Sequence, residues 1–167
     1  MAGLTFKSVG DRLGISDRTV VYYFPTKPDL VTAVAVALVA DLERLLEEAF
    51  GSEPKHREEL VDRAWQVLAN SATDRVFSLY FEIVGLASSG QAPYDVIARG
   101  LVEGWVDWLV PRMHGSTPAV RRKRALATVA QIDGLLLVRH VLGREAGDAA
   151  ASESGVRLTR SGGRPDM

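Results

Sequence analysis

The chain has 167 residues, a formal net charge of −1, three histidines and no cysteine. This length fits one domain, or a small domain joined to a larger one. The lack of cysteine excludes disulfides and thiolate metal sites, and the near-neutral charge is not typical of a protein that coats nucleic acid indiscriminately. The longest apolar run, residues 31–40, is far shorter than the roughly 20 residues of a membrane span, and no signal peptide follows Met1. We therefore expect a soluble, cytoplasmic protein with no membrane partner.

The first thirty residues have the pattern of two short helices joined by a tight turn. Thr5 is a good N-cap, Val9 and Leu13 share one helix face, and Gly14 suits the left-handed residue just past a helix end. Ser16 is expected to cap the second helix. This spacing predicts a helix-turn-helix, whose second helix can enter the major groove of DNA.

The second predicted helix carries candidate contacts to the bases. Arg18 is positioned to read guanine, and Thr19 or Val21 to touch a thymine methyl group. Asp17 is interpreted as a carboxylate that favours the helix N-terminus, in preference to a cytosine contact.

The aromatic residues that follow should divide between the core and DNA. Helical rotation cannot bury all three, so we expect Phe24 inside, Tyr22 partly packed, and the Tyr23 hydroxyl free for a phosphate. Residues 26–29 form a capping sequence for the next helix. Lys27 then lies at a helix N-terminus, which is a favourable place to bind phosphate.

This N-terminal motif resembles the DNA-binding signature of the TetR family of bacterial one-component transcriptional repressors. The resemblance rests on Thr5, Val9-Gly10, Leu13-Gly14-Ile15-Ser16, Thr19-Val20, Tyr22-Tyr23-Phe24, Lys27 and Leu30. It implies a ligand-responsive repressor that binds a palindromic double-stranded DNA operator as a homodimer, with Lys7 and Lys27 against the phosphate backbone. The expected DNA-binding residues are Lys7, Ser16, Asp17, Arg18, Thr19, Val21, Tyr22, Tyr23 and Lys27.

The sequence departs from the family pattern at two places. Family members have a further helix before this motif, and the sequence begins after it, so Phe6, Val9 and Leu13 are expected to lack a cover. Gly10 stands where the family usually has alanine, at a cost to the first helix of up to about 1 kcal/mol. The alternative function is therefore a helical ligand-binding dimer that has lost DNA binding. No enzyme motif is present, so we do not expect catalysis.

Helical periodicity continues from Pro28 to Leu142. The predicted fold class is all-α. The resemblance implies a helix-turn-helix head over residues 1–33 and a helical-bundle ligand-binding and dimerisation domain over residues 34–143. Residues 144–167, rich in glycine, serine, alanine and mixed charge, are expected to be a disordered tail.

The resemblance also implies a homodimer interface in residues 94–142. Close helix approach is favoured there by Gly100, Gly104, Ala127, Ala130 and Gly134. For any one of these residues, packing within the chain is an equal alternative. Leu136 is also expected in the interface, so an arginine at this position should produce monomers.

The resemblance further implies a pocket for a small-molecule effector of unknown identity. The candidate lining residues are Trp65, Phe77, Tyr80, Phe81, Trp105 and Met113. For any single one of them, ordinary core packing is favoured over ligand contact. The histidines His56, His114 and His140 have no ligand spacing, so we expect neither a metal site nor a cofactor.

Overall fold

The computed structural model describes residues 4–157, with the side chain of Leu38 excepted, and this part of the chain is all-helical. Outside the helices, a parallel β-bridge joins Lys55 and Met113. The helices are α1 (Phe6–Leu13), α2 (Asp17–Tyr23), α3 (Lys27–Phe50), α4 (Arg57–Leu68), α5 (Asp74–Ser88), α6 (Tyr94–Leu109), α7 (Pro118–Leu142) and α8 (Arg144–Glu153), with a 3-10 turn at Val110–Arg112. The predicted all-α class is confirmed.

Local capping sequences fix the ends of several helices. Thr5, Ser16 and Thr117 each accept a hydrogen bond from the backbone N–H three residues later, at 3.0, 3.1 and 3.2 Å. Gly14 ends α1 in the left-handed region with a φ of 67°, which favours glycine. These predicted boundaries are confirmed because they depend only on neighbouring residues.

The described chain divides into two compact units. One contains the residues up to Glu43 together with Ser78–Val102, and the other contains Arg44–Phe77 together with the residues from Glu103 onward. The predicted head boundary near residue 33 falls inside α3.

The first unit is built on an apolar cluster shared by α3, α5 and α6. Val31, Ala35, Ile83 and Ala98 are buried in it. Partly buried side chains surround these four: Leu4, Leu79, Val84, Ala87, Tyr94, Ile97 and Leu101. In this unit the described residues of α1 and α2 also pack against each other.

The second unit packs α4 and α8 against α7. Residues 144–157 are ordered here, which corrects the expectation of a disordered tail from residue 144; residues 158–167 lie outside the described part of the chain. Gly147 and Ala151 are buried in α8. A Cβ placed on Gly147 would lie only 2.5 Å from the Cβ of Arg139. The small residues that suggested disorder therefore allow α8 to approach α7 closely.

The residues after α8 are hydrogen-bonded to α4. Val156 is buried, and the Arg157 side chain donates a hydrogen bond from Nε to the Asp62 carboxylate at 2.7 Å. This hydrogen bond, with the attraction of the same carboxylate, raises the pKa of Arg157 above its ordinary value. Gln66 also donates to the Arg157 carbonyl at 2.9 Å.

One helix of the described residues, α7, is long and apolar enough to span a membrane by length and composition. One third of its most apolar stretch, 33%, is buried within the fold. Core helices of soluble proteins meet the same criterion, so this finding is weak evidence for a span.

Candidate functional site

The α1–α2 pair is held together at a buried glycine. The Ile15 N–H donates to the Gly10 carbonyl at 3.0 Å, and Val20 of α2 is only 2% exposed. A Cβ on Gly10 would lie 2.8 Å from the Ile15 carbonyl oxygen and 3.2 Å from the Asp17 nitrogen. Gly10 was expected only to weaken α1. Because it has no side chain, the backbone of the turn between the helices can pack directly against it.

The outer face of α2 is formed by Asp17, Arg18, Val21, Tyr22 and Tyr23, which are all exposed. Tyr22 is 80% exposed and Tyr23 68%, with their rings in an edge-to-face contact at 5.3 Å between centroids. The expectation that Tyr22 is partly packed is therefore wrong. Tyr22 comes two residues after the buried Val20, about 200° further around the helix, so it points away from the inner face.

The first turn of α2 uses several of the predicted DNA-binding side chains for capping. The hydroxyls of Ser16 and Thr19 share a hydrogen bond at 2.8 Å. The Asp17 carboxylate accepts from the Arg18 N–H at 2.8 Å. This contact supports the interpretation of Asp17 as an N-terminal carboxylate, and Arg18 is exposed on the same turn.

The two predicted phosphate-binding lysines have different surroundings. Lys7 lies in the open on α1, where its ammonium pairs with the exposed Asp11 carboxylate at 3.0 Å. Lys27 is half-buried at the first position of α3. The predicted cap before it is confirmed, because the Asp29 carboxylate accepts from the Thr26 N–H at 3.0 Å and from its hydroxyl at 2.6 Å. Lys27 therefore lies on a fixed helix start.

Apolar side chains of the α1–α2 region are exposed to different degrees. Leu13 is 65% exposed and Ile15 41%, whereas Phe6 and Val9 are half-buried. Phe6, Val9 and Leu13 were expected to have no helix packed over them. Among the described residues, Leu13 fits this expectation best.

The six predicted effector-binding residues fall into both units. In the first unit, Tyr80 and Phe81 are half-buried, with ring centroids 5.4 Å apart. In the second unit, Trp65, Phe77 and Met113 are buried at 3%, 7% and 1% exposure. The remaining residue, Trp105, is half-buried and meets the Trp108 ring at 5.8 Å between centroids.

A small surface pocket in the second unit does not involve any of these six residues. Its volume of about 30 Å³ leaves room for only about two water molecules, since each needs roughly 10–15 Å³ on this measure. It is lined by Arg57, Glu58, Val61, Asp62, Gln131 and residues 154–156. The effector pocket stays a prediction.

The α7 helix has an exposed apolar face, here called the α7 outer face. It consists of Ala127, Ala130, Gly134, Leu137 and Val141, which are all exposed. Leu137 is 45% exposed and Val141 66%. Alternating steps of three and four residues separate the five positions, as in helices that pair along a seam. A Cβ on Gly134 would meet nothing within 4 Å, so a close approach is open there.

The expected interface role of Leu136 is wrong within this fold. Leu136 is 3% exposed and belongs to the buried side of α7 with Val129, Ile132 and Leu135. An arginine there would be forced into the core of the chain. Leu137 and Val141, which the sequence analysis did not select, lie outward instead, and the heptad spacing through Ala127 is the signal that finds them.

The basic run at the start of α7 is held by nearby oxygen atoms. Arg122 pairs with the Asp107 carboxylate. Arg121 donates to the Gly115 carbonyl at 3.3 Å, and Arg124 donates to the His114 carbonyl at 2.6 Å. These contacts offset the cost of positive charge at a helix N-terminus.

Comparison with protein-family models, with curated proteins and with solved structures found no match to the chain.

Proposed function

We propose that the protein is a DNA-binding transcriptional regulator of the TetR type, acting as a repressor. The observation that carries the proposal is the exposed face of α2 on a capped helix pair, with the Arg18 guanidinium on its first turn and the Tyr22 and Tyr23 rings further along. Residues near the N-terminus of a recognition helix face base edges when it docks in the major groove. The turn at Gly10 gives this helix a fixed direction relative to α1.

Dimerisation is part of the proposed function because the charge of one head is small. Residues 1–30 carry four cationic side chains against three carboxylates, a balance of +1. Affinity for the phosphate backbone grows with the number of cations that meet it, so two heads are needed. We assign the homodimer to residues 94–142, and within them to the α7 outer face, because exposed apolar seams of this spacing are buried when helices pair.

Control by a small-molecule effector belongs to the same proposal. Its support is the family resemblance of the N-terminal motif and the aromatic side chains of α4, α5 and α6. An effector acts only through a difference in affinity between two conformations, so by linkage operator DNA must weaken effector binding by the same factor. A regulator of this kind works in the cytoplasm.

The direct test is a selection of DNA sequences by the purified full chain from a random duplex library at low salt. We expect enrichment of a palindrome whose half-sites are separated by about 10 base pairs or a multiple of that. Tyr23→Phe should lower the affinity for the selected DNA. The matched control is Tyr94→Phe, which changes a tyrosine on α6 and should leave this affinity unchanged. A folded, dimeric protein that enriches no DNA sequence from the library would contradict the proposal.

A second candidate function is a helical ligand-binding dimer without DNA binding. The observation that favours it is the 65% exposure of Leu13, an apolar residue on α1 that the described residues do not cover. A failed DNA selection together with an intact dimer in light scattering would favour this candidate over the first.

A further inference from the structure

Two histidines that are far apart in the sequence meet in the second unit. The imidazole rings of His56 and His114 have centroids 4.8 Å apart and planes inclined by 44°. Both side chains are exposed. Sequence spacing did not suggest a site, because His56 precedes α4 and His114 lies between α6 and α7.

The backbone fixes both histidines in place. The Lys55 N–H donates to the Arg112 carbonyl at 2.9 Å, and the His114 N–H donates to the Lys55 carbonyl at 3.0 Å. The Met113 side chain beside this bridge is 1% exposed and anchors it in the core. Arg124 adds a third restraint through the His114 carbonyl. The two histidine side chains therefore project from neighbouring segments whose backbones are hydrogen-bonded to each other.

The ring nitrogens of this pair are not used by the fold. His56 is the N-cap of α4, but its side chain makes no capping hydrogen bond. Within the described part of the chain, no hydrogen bond joins either imidazole to another residue. Each ring therefore keeps a nitrogen lone pair for an external partner.

The separation of the rings fits two ligands on one metal ion. A metal–nitrogen bond of about 2.0–2.1 Å places the ring centroid about 3.2 Å from the ion. Two such rings at 90–109° then lie with centroids about 4.5–5.2 Å apart, a range that includes the observed 4.8 Å. We propose that His56 and His114 form a binding site for a divalent transition-metal ion.

The ligand chemistry defines which ions the site should take. Two neutral imidazoles suit Cu²⁺, Ni²⁺ and Zn²⁺, whereas Mg²⁺ and Ca²⁺ require oxygen ligands. No group of three or more histidine or carboxylate ligands is found among the described residues. The remaining coordination positions are therefore left to water or to a donor from outside the described residues.

Lys55 and Arg57 place positive charge next to His56, which lowers the affinity for a metal ion but does not prevent binding. Lys55 pairs with Glu59 at 3.9 Å, and Arg57 pairs with Glu58 at 3.4 Å. These contacts partly neutralise the cations nearest to His56. We expect Cu²⁺ to bind more tightly than Ni²⁺ or Zn²⁺, in the general order of affinity for nitrogen sites.

The test is calorimetric titration of the untagged full chain with Ni²⁺ and with Zn²⁺. We expect one site per chain. His56→Ala and His114→Ala should each reduce affinity by at least the roughly tenfold that loss of an outer-shell partner costs a metal site, because each removes a ligand itself. The chain supplies a matched control, because His140 is a third exposed histidine on α7, away from the pair in sequence. His140→Ala should bind as the unmodified chain does, and Mg²⁺ should give no site.

Circular dichroism of each variant provides the second measurement. Both side chains are exposed, so the helical content should be unchanged, and Ni²⁺ should raise the melting temperature of the unmodified chain but not of His114→Ala. Binding that survives in both His56→Ala and His114→Ala, equal loss in His140→Ala, or no detectable binding by the folded chain would each overturn the proposal.

Discussion

Gly10 illustrates how a residue can oppose local preference and still be required. In an isolated helix, glycine is less favourable than alanine by about 1 kcal/mol. In this fold, the space that a methyl group would fill is occupied by the Ile15 carbonyl and the Asp17 nitrogen. These are backbone atoms of a capped turn, so they cannot move aside as a flexible side chain would.

We predict that Gly10→Ala destabilises the protein. The overpacking cost of about 1–3 kcal/mol should exceed the gain in helix propensity. The control is Gly85→Ala in α5, where a Cβ would meet nothing within 4 Å, and this change should be neutral or stabilising by up to about 1 kcal/mol. Urea unfolding of both variants measures the difference. A Gly10→Ala variant as stable as Gly85→Ala would show that the α1–α2 turn relaxes freely.

At the scale of elements, α8 owes its order to its packing on α7. Its sequence is short and weakly apolar, so it cannot be stable alone. Gly147 and Ala151 let it lie close to α7. The Asp62–Arg157 contact then ties the following residues to α4.

Gly147→Ala should therefore weaken the docking of α8. A Cβ at this position would meet the Cβ and Cα of Arg139, at 2.5 and 2.9 Å. We expect a loss of about 1–3 kcal/mol in the free energy of unfolding. Hydrogen exchange should localise the change to residues 144–157. Unchanged protection of α8 in the variant would contradict the packing argument.

The proposed role of α2 in DNA recognition gives a prediction about affinity and specificity. Phosphate contacts carry affinity without sequence information, whereas base contacts carry preference. Lys27→Ala and Tyr23→Phe should weaken binding to all operator variants by a similar factor, and Arg18→Ala should change which bases are preferred. Fluorescence anisotropy over a set of single-base operator variants measures both effects. A changed base preference in Lys27→Ala would refute its assignment to phosphate.

At the scale of the whole molecule, the α7 outer face is the strongest candidate for self-association. Leu137→Asp and Val141→Asp each place a charge on an exposed surface, so the fold should survive while the dimer is lost. Leu45→Asp is the control, because Leu45 is similarly exposed, at 47%, on a different helix. Light scattering should report monomers for the α7 variants only. A dimer in all three variants would remove this face as the interface.

The sequence by itself determined the caps that begin α1, α2, α3 and α7, and the glycine that ends α1. Thr5, Gly14, Ser16, the 26–29 cap and Thr117 act on atoms within a few residues, so the pattern of the chain is sufficient to predict them. The exposed face of α2 was also largely predictable, except for the position of Tyr22.

Tertiary structure decided the features that depend on partners distant in the chain. It placed Leu136 in the core and Leu137 outside, ordered α8 against α7, and brought His56 beside His114. Helical periodicity shows which residues share a face, but it does not show which of two apolar faces meets the chain itself. That choice depends on packing against other helices. In α7 two faces are apolar, so either could by composition pack against the rest of the chain.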